Sequence, residues 1–346
     1  MRPPARRLLA ALVAIAVGGA AAGVLTGVVG PERPPHRGSG SHPRPATSTS
    51  KAPTTLSTTT TAPASSSPNG ASTVPHVMLL LMENHGYSSI VGSATAPYLN
   101  GLIRRYGLAT ASYATTHPSL PNYLELVSGS NQGITTDCTA TCTADGRQLV
   151  DQLEAKGIAW RAYIEAAPSP CYTGDSASLF DRHHDPFVYA PHIVRDRAEC
   201  RDVVPYKTLA PMLAAGTAPP FIWVTPDVEH DMHTGSVAQG DAWLASQLPR
   251  VMRSGWYHDG GIVIITFDES GGTTTSGCCT GAAGGHIATI VVSDRTHAGA
   301  RLARPVDEAG ILRSIEAIYH LPYLGDAANP RSGTLLPLLG MAAAGR

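Results

Sequence analysis

Acidic residues repeatedly follow short apolar runs of this sequence, at or just after the point where each run ends. These acids are Glu83, Glu165, Asp227, Asp268 and Glu269. If the runs are parallel strands, their carboxyl ends open onto one crevice, and acids from distant segments converge there. Clustered carboxylates repel one another unless a cation lies between them, and a divalent metal ion is the usual solution. Helix capping explains any single acid in such a position, but it explains the series less well.

Histidines occur where they would complete such a metal site. Asp231 and His233 lie in the segment HDMH beside His230, shortly after an apolar run that ends in TPD. His286 directly precedes another run. Mixed Asp, Glu and His ligation suits zinc, iron or manganese, and calcium or magnesium where carboxylates dominate, so the identity of the divalent metal stays open. Because the chain has 14 histidines, each one alone is as readily explained as a surface or core residue.

Ser119 is the candidate nucleophile. It lies in a turn between Pro118 and Pro121, within the segment THPSLPNYLELVSGS, and an apolar helix-like stretch follows it. Backbone N–H groups at a helix N-terminus stabilise a phosphate oxyanion, and a neighbouring metal ion lowers the pKa of a hydroxyl. The competing interpretation is that Ser119 is only an N-cap, which is the commoner role of a serine before a helix.

The elements that would position these residues begin near His76. From there, short apolar runs alternate with helix-like segments, which is the pattern of βαβ units. The runs are Val77 to Met82, Ile158 to Ile164, Phe221 to Thr225, Ile262 to Phe267 and Ile287 to Val292. The predicted helices are Arg147 to Lys156, Asp241 to Arg253 and Glu308 to His320. The pattern predicts an α/β fold with a mostly parallel central sheet flanked by helices.

The N-terminal part of the chain divides into two segments. Residues 1–30 are predicted to be a signal peptide or a signal anchor, because arginines precede an apolar run from Leu8 to Val29. Ala20, Ala21 and Ala22 offer a cleavage point, but the run approaches the roughly 20 apolar residues that cross a bilayer. Residues 31–75 are rich in Pro, Ser and Thr and are predicted to be a disordered linker, which leaves residues 76–346 as the folded domain. The expected location is secreted or extracytoplasmic and membrane-anchored.

The composition limits the classes of partner. The chain has 346 residues, of which 43% are hydrophobic, and a formal net charge of -1 at pH 7. It is therefore long and apolar enough for a substantial core, and its balanced charge indicates no nucleic-acid-binding surface. Membrane contact is expected only through an N-terminal anchor.

The cysteines indicate disulfide bonds in an oxidising compartment. There are six of them, which allow fifteen pairings. A zinc cluster is the alternative, but Cys138 and Cys142 lack a second Cys or His pair at finger-like spacing. Cys278 and Cys279 are expected to bond to different partners, because a bridge between neighbours strains the peptide that joins them.

A series of motifs in this chain resembles the bacterial and fungal phosphoesterase family. That family contains secreted acid phosphatases and phospholipases C and belongs to the alkaline-phosphatase superfamily. The resemblance extends from about His76 to about Leu324. Its motifs are MENHGY (Met82 to Tyr87), APYLN (Ala96 to Asn100), HPSLPNY (His117 to Tyr123), SGS (Ser128 to Ser130), HDPFVY (His184 to Tyr189), TPD with HDMH, GDAWL (Gly240 to Leu244) and FDES (Phe267 to Ser270).

The resemblance implies roles for particular residues. Ser119 would be the nucleophile that forms a phosphoserine-like intermediate, Asn84 would lie in the active site beside the metal, and His184 would contact phosphate. The implied metal ligands are Glu83, Asp231, His233, Asp268, Glu269 and His286. SLPN is also similar to the nucleophile turn of nucleotide phosphodiesterases, which have Thr where this chain has Ser119. The chain departs from the family at Asp227, where many members have Asn, and at Glu269, where a second consecutive Asp is expected, and both affect metal preference.

The function expected from the resemblance is that of an exported, metal-dependent phosphoric monoester hydrolase, similar to acid phosphatases. The sequence lacks the Cys–Arg, Arg-His-Gly and Asp-x-Asp-x-Thr signatures of other phosphatases, and Ser119 lacks the Cys-x-Pro-x-Arg-type context of sulfatases. The predicted substrate is a small phosphomonoester or a phospholipid head group. The alternatives are a phosphodiesterase or phospholipase C that acts on lipid phosphoesters, and a non-catalytic surface binding module whose metal is structural.

Overall fold

Apolar side chains cover both faces of the central strands, as strands between two helical layers require. The computed structural model describes residues 74–139 and 141–342. The strands are β1 Val77–Met82, β2 Gly107–Tyr113, β3 Trp160–Ile164, β4 Val203–Pro205, β5 Phe221–Thr225, β6 Ile262–Phe267, β7 His286–Val292, β8 Arg301–Leu302 and β9 Val306–Asp307. The predicted signal segment and most of the predicted linker lie outside this range. Within the range, no helix has the length and apolar character needed to cross a membrane.

The strands form one mixed sheet in the order β4-β3-β5-β1-β6-β7-β2-β8, and β9 pairs with β2. β4, β3, β5, β1 and β6 run parallel to one another, whereas β7 runs antiparallel to both β6 and β2. The predicted α/β class and mostly parallel sheet are confirmed. The carboxyl ends of β5, β1 and β6 therefore lie side by side at one edge of the sheet.

Two helical layers enclose the sheet. The helices are α1 Tyr87–Ile90, α2 Pro97–Arg105, α3 Ser119–Ser128, α4 Leu149–Ala155, α5 Pro191–Arg195, α6 Leu209–Ala215, α7 Val237–Met252, α8 Gly255–His258 and α9 Glu308–Ile318. Val77, Leu79 and Leu81 of β1 face the layer that contains α3, α4 and α9. The alternate residues of β1 face α2, α6, α7 and α8. This alternation is the two-residue period of a strand that is buried on both sides.

Helix α3 is the most enclosed of these elements, because all ten of its residues are buried. It begins at Ser119, after the N-cap Pro118, and ends at Ser128, with Gly129 as its C-cap. Gly129 adopts a left-handed conformation with φ 68°, and a Cβ there would clash with the carbonyl of Leu324. A side chain at position 129 would thus require the backbone of Leu324 to move.

The cysteines form three disulfides, as an exported chain was expected to have. The pairs are Cys138–Cys142, Cys171–Cys200 and Cys278–Cys279. The prediction that Cys278 and Cys279 bond to different partners is wrong. They lie in a tight turn in which Cys279 has φ 64° and Gly281 donates its N–H to the carbonyl of Cys278, so the two neighbouring side chains meet. The alternative of a cysteine-ligated zinc cluster does not fit, because every cysteine is bonded.

Candidate active site

Three carboxylates meet where β5, β1 and β6 end. Glu83 follows β1, Asp268 follows β6, and Asp231 lies in the loop after β5. Glu83 donates its N–H to the carbonyl of Asp231 at 2.8 Å, and Asp268 donates its N–H to the carbonyl of Met82 at 3.0 Å. These backbone bonds join the three loops beyond the ends of the strands. The side chains of Glu83, Asp231 and Asp268 are all completely buried.

Glu83 accepts hydrogen bonds from three neighbours. Ser119 donates its hydroxyl to Oε2 at 3.2 Å, and Asn84 donates its amide to the same oxygen at 3.1 Å. Tyr123 donates its hydroxyl to Oε1 at 2.5 Å. Ser119 and Tyr123 are one helical turn apart on α3, so this helix presents both hydroxyls to the same carboxylate.

His184 connects Glu83 with Asp231. It ends a short 3₁₀ helix, Arg182–His184, and its ring is buried. Its Nε2 lies 3.3 Å from Oε1 of Glu83, and its Nδ1 lies 3.1 Å from Oδ2 of Asp231. The ring also stacks on that of Tyr123 with 5.4 Å between centroids. The predicted site residues Ser119, Glu83, Asn84, His184 and Asp231 are thus in contact.

Asp268 closes the group on the side of β6. Its Oδ1 accepts the backbone N–H groups of Asn84 at 2.9 Å and Glu269 at 2.7 Å. Its Oδ2 is buried and has no hydrogen-bond partner within residues 74–139 and 141–342. Because Oδ1 is fixed by two donors, Oδ2 is left with a free pair of electrons at a defined position.

Burial and the closeness of several acids shift the pKa values of the group. Burial raises the pKa of Glu83 well above its usual value, and the charges of Asp268 and Asp231 raise it further. Burial also raises the pKa of Asp231, although His184 opposes this. Burial alone would lower the pKa of His184, but Asp231 and other acids raise it overall. Among the described ion pairs, none joins a lysine or arginine to these carboxylates.

The residues of this group fit a divalent cation. Ligand atoms of Glu83, His184 and Asp231 lie within 4.8 Å of one another. Oδ2 of Asp231 lies 3.1 Å from Nδ1 of His184, whereas Oδ2 of Asp268 is buried without a hydrogen bond inside the described chain. Such a buried oxygen is costly unless a positive group satisfies it. Carboxylate oxygens with one imidazole are a donor set that suits several divalent metals.

His233 lies at the rim of the group, not inside it. Its backbone N–H donates to Oδ1 of Asp231 at 2.7 Å, and its exposed ring meets that of His184 edge-on, with 5.2 Å between centroids. Ligand atoms of Asp181, His184 and His233 lie within 4.8 Å of one another. The ligand role predicted for His233 stays a prediction, and Asp181 is a neighbour that the sequence did not reveal.

Glu269 lies next to the group and pairs with His117. Its Oε2 is 3.0 Å from Nδ1 of His117, whose Nε2 contacts the carbonyl oxygen of Thr274 at 2.9 Å. Burial, followed by the charge of Asp268, raises the pKa of Glu269 to about 7. A ligand role for Glu269 stays a prediction. The position of His117 beside Glu269 was not predicted, because Ser119 was the only residue of the motif HPSLPNY that was given a role.

His286 packs against two tyrosine rings at the start of β7. Its ring stacks on Tyr87 with 4.2 Å between centroids and on Tyr113 with 5.1 Å. Its Nε2 contacts the carbonyl oxygen of Thr110 at 3.0 Å, and burial lowers its pKa. In the described part of the chain, no hydrogen bond or ion pair joins His286 to the carboxylates. The ligand role predicted for His286 stays a prediction.

The expectation that the strand-end acids converge on one site is wrong for two of them. Glu165 and Asp227 form a second group with His230, whose Nδ1 lies 3.0 Å from Glu165 and 3.1 Å from Asp227. β3, which precedes Glu165, is separated from β1 by β5. Adjacent strands are about 4.8 Å apart, so an acid on β3 begins about 10 Å from β1.

The turn before Ser119 and the start of α3 are held by hydrogen bonds to two side chains whose roles were not predicted from the sequence. Asn122 accepts the N–H of Thr116 at 2.8 Å and donates to the carbonyls of Thr116 and Pro118. Asp137 accepts the N–H of Leu120 at 2.9 Å. The expectation that the first N–H groups of this helix are free for a phosphate oxygen therefore does not hold for Leu120.

Comparison with known proteins identifies the family of this chain. The sequence profile of the phosphoesterase family matches residues 91–322. The chain is 27% identical over 261 residues to the phosphatidylinositol-3-phosphatase of Mycobacterium tuberculosis, which covers 74% of this chain and 81% of that protein. It is 28% identical over 166 residues to an acid phosphatase of Aspergillus fumigatus, which covers 46% of this chain and 37% of the fungal protein. The chain thus spans well under two thirds of that fungal relative.

Solved structures with the same fold have little sequence identity to the chain. A protein of the alkaline phosphatase superfamily from Vibrio parahaemolyticus superposes with a TM-score of 0.52 at 13% identity, covering 76% of this chain and 69% of that one. A phosphonate monoester hydrolase from Silicibacter pomeroyi gives a TM-score of 0.51 at 10% identity, covering 79% and 78%. The likeness shows the fold alone, and it confirms the predicted alkaline-phosphatase-like architecture.

Proposed function

Since this chain belongs to the phosphoesterase family and is a phosphoric ester hydrolase, we propose that it cleaves phosphoric monoesters with Ser119 as nucleophile and a divalent metal ion as cofactor. The observation that carries the proposal is the position of the Ser119 hydroxyl, which donates to Glu83 inside a buried group of carboxylates. The alternative role of an N-cap does not fit Ser119, because the N-cap of α3 is Pro118 and Ser119 is the first residue of the helix.

The metal ion would be held by Glu83, Asp231 and Asp268, with His184 beside them. When bound, a divalent ion withdraws charge from phosphoryl oxygens and favours the deprotonated hydroxyl. Oδ2 of Asp268 supports this assignment, because it is buried without a partner in the described residues. Carboxylates with one imidazole are compatible with zinc, iron, manganese, calcium or magnesium.

The protein's own residues orient the nucleophile. Glu83 accepts the hydrogen of Ser119 and so directs the oxygen lone pairs away from the carboxylate, towards the position that phosphorus would take. Tyr123 and Asn84 each donate to Glu83, which fixes the orientation of its carboxylate. His184, between Glu83 and Asp231, is placed to carry a proton or to contact a phosphoryl oxygen. Such fixed positioning is a large part of what an enzyme supplies to phosphoryl transfer.

Two substrate classes follow from the relatives. The fungal relative is an acid phosphatase, which supports small phosphomonoesters as substrates. The mycobacterial relative is a phosphatidylinositol-3-phosphatase, which makes a phosphorylated lipid head group the second candidate. Both are monoesters, whereas a phosphodiesterase or phospholipase C activity remains the alternative named from the sequence. Export, with secretion or anchoring by residues 1–30, belongs to the same proposal.

The Ser119→Ala variant tests the nucleophile. We expect kcat with p-nitrophenyl phosphate to fall by at least about a thousandfold, because no other hydroxyl donates to Oε2 of Glu83 within the described residues. Ser128→Ala is the matched control: Ser128 is buried at the other end of α3, where its hydroxyl bonds to the carbonyl of Leu124 at 2.8 Å. The control should keep wild-type kcat. Substantial turnover by Ser119→Ala would remove this serine from the mechanism.

A substrate panel tests the class. The panel contains p-nitrophenyl phosphate, bis-p-nitrophenyl phosphate, vesicles with phosphatidylinositol 3-phosphate and vesicles of phosphatidylcholine. The proposal expects phosphate release from the first and third and none from the second and fourth. Cleavage of only the diester or phosphatidylcholine would establish the alternative, and bound metal without turnover of any substrate would establish the binding module.

A further inference from the structure

The nucleophile turn, residues 114–118, joins β2 to α3 and is held from several sides. Residues 283–285 pair with its start, because Ala283 donates to the carbonyl of Thr115 and Gly284 to that of Ala114. Asn122 bonds to its middle and end. One further contact comes from a distant charged side chain: Glu308 accepts the N–H of Thr115 at 2.9 Å, across 193 positions of sequence.

Glu308 is unusual for the first residue of a helix. It begins α9 and is fully buried. Its Oε2 accepts the N–H of Thr115, whereas its Oε1 has no hydrogen-bond partner among the described residues. Burial raises the pKa of this carboxyl, Thr115 opposes the rise, and the charge of Asp268 adds to it. Glu308 therefore lies within electrostatic reach of the active site.

Helix stability does not account for this burial. An acid in the first turn stabilises a helix through the dipole, but an exposed acid does so without the cost of desolvation. The N-cap function is already performed by Asp307, whose Oδ1 accepts the N–H of Gly310 at 2.9 Å. The contact that requires Glu308 to turn inward is the one with Thr115.

We propose that Glu308 is a positioning residue, which holds Thr115 and thereby the nucleophile turn so that Ser119 stays against Glu83. The inference rests on the proposed role of Ser119. What Thr115 requires is an acceptor oxygen, not a negative charge. Glutamine at position 308 keeps that acceptor at the same distance from the backbone, whereas methionine fills the same volume without one.

Glu316 provides a matched control on the same helix. It is also fully buried, its Oε1 accepts the N–H of Leu324 at 2.9 Å, and its Oε2 has no partner within the described range. Its geometry is thus that of Glu308, but the backbone it holds lies after α9, not before Ser119. Substitutions at either position remove a buried carboxyl from α9, but only those at position 308 release the backbone of the nucleophile turn.

The experiment compares Glu308→Gln, Glu308→Met, Glu316→Gln and Glu316→Met in the full chain, with p-nitrophenyl phosphate as substrate. We expect Glu308→Met to lower kcat by about 10- to 100-fold with little change in KM, because a displaced nucleophile reacts slowly while substrate still binds. The Glu308→Gln variant should stay within about threefold of wild type, and both Glu316 variants should do the same. Amide hydrogen exchange should be faster at Thr115 in Glu308→Met alone.

Three results would overturn the inference. They are equal kcat for Glu308→Met and Glu316→Met, a loss in Glu308→Gln as large as that in Glu308→Met, and unchanged exchange at Thr115. The exchange measurement does not depend on turnover, so it separates this inference from the proposed function. If Ser119→Ala stays active, the nucleophile assignment fails; if it is inactive while Glu308→Met behaves as wild type, only the role of Glu308 fails.

Discussion

The two carboxylate groups at the ends of the strands look alike in sequence but differ in how their oxygens are satisfied. In the group of Glu165, Asp227 and His230, Oε1 of Glu165 accepts from the indole of Trp243 at 3.2 Å. Its Oε2 accepts the N–H of Asp227 at 3.1 Å, and Oδ1 of Asp227 accepts the N–H groups of Glu229 and His230. The side chains of Glu165 and His230 remain 21% and 37% exposed.

The group of Glu83, Asp231 and Asp268 shows the opposite pattern. All three side chains are fully buried, and Oδ2 of Asp268 lacks a partner in the described chain. Where water reaches a carboxylate, an imidazole and a few N–H groups suffice to stabilise its charge. Where water is excluded, the charge must be removed by a proton or balanced by a cation. A buried oxygen without a partner thus distinguishes a cation site from a structural network better than the number of acids does.

The largest effect expected from this difference is that of Asp268→Asn. Asparagine can keep the acceptor for the N–H groups of Asn84 and Glu269, but it replaces the unpartnered Oδ2 with an NH₂ group that cannot bind a cation. We expect kcat/KM to fall by about a thousandfold and bound metal, measured by elemental analysis, to fall with it.

Asp241→Asn is the control for Asp268→Asn. Asp241 is equally buried, but its two oxygens accept the N–H groups of Tyr98 and Leu99 at 2.9 and 2.8 Å. This substitution should lower the free energy of unfolding by about 1–3 kcal/mol and leave metal content unchanged. Metal loss in both variants, or in neither, would contradict the distinction drawn between satisfied and unsatisfied carboxylates.

Much of the fold was predictable because buried strands appear as apolar runs. β1, β5 and β6 have the predicted bounds, while β3 begins at Trp160, not Ile158. β2 was missed because its sequence, GLATASY, consists largely of small and polar residues. The direction of β7 was not predictable either, since an apolar run has the same pattern in parallel and antiparallel strands.

The site was less predictable than the fold. Ser119, Glu83, Asp231 and Asp268 could be named because they stand at the ends of elements. Tyr123 was missed, although its spacing of four from Ser119 places it on the same face of α3. Sequence position also gave no means to separate Glu165 from Glu83, because strand order in the sheet follows from tertiary packing. The role of Glu308 could not be predicted, because its contact with Thr115 joins residues that are 193 positions apart in the sequence.

A pH experiment distinguishes neutralisation by a proton from neutralisation by a cation. Burial raises the pKa of Glu316 to about 8, from a usual value of 4.5. The folded state therefore binds a proton that the unfolded state releases, so this contribution to stability is full below about pH 4.5 and is lost as pH rises through about 8. We expect the free energy of unfolding, measured with urea, to fall between pH 5 and pH 9. This fall should be about 1–3 kcal/mol smaller in Glu316→Gln than in wild type.

The slope difference for Glu316→Gln should be the same with and without added divalent cation, because Glu316 is neutralised by its proton. Glu125, whose pKa burial also raises to about 8, keeps some pH dependence in both proteins. Equal slopes for wild type and Glu316→Gln would mean that Glu316 is ionised in the folded protein. A buried carboxylate with an unpartnered oxygen would then not be evidence for either a proton or a cation.

The smallest expected effect is that of Glu165→Gln, and it tests the comparison from the other side. Glutamine keeps an acceptor for Trp243 or Asp227 and removes the partly exposed charge that pairs with His230. Because pairs that water reaches contribute little, we expect the free energy of unfolding to fall by about 1 kcal/mol, with kcat within about threefold of wild type and no change in bound metal. Loss of one metal equivalent would make Glu165, Asp227 and His230 a second cation site, in which case satisfied hydrogen bonds would no longer separate structural groups from binding ones.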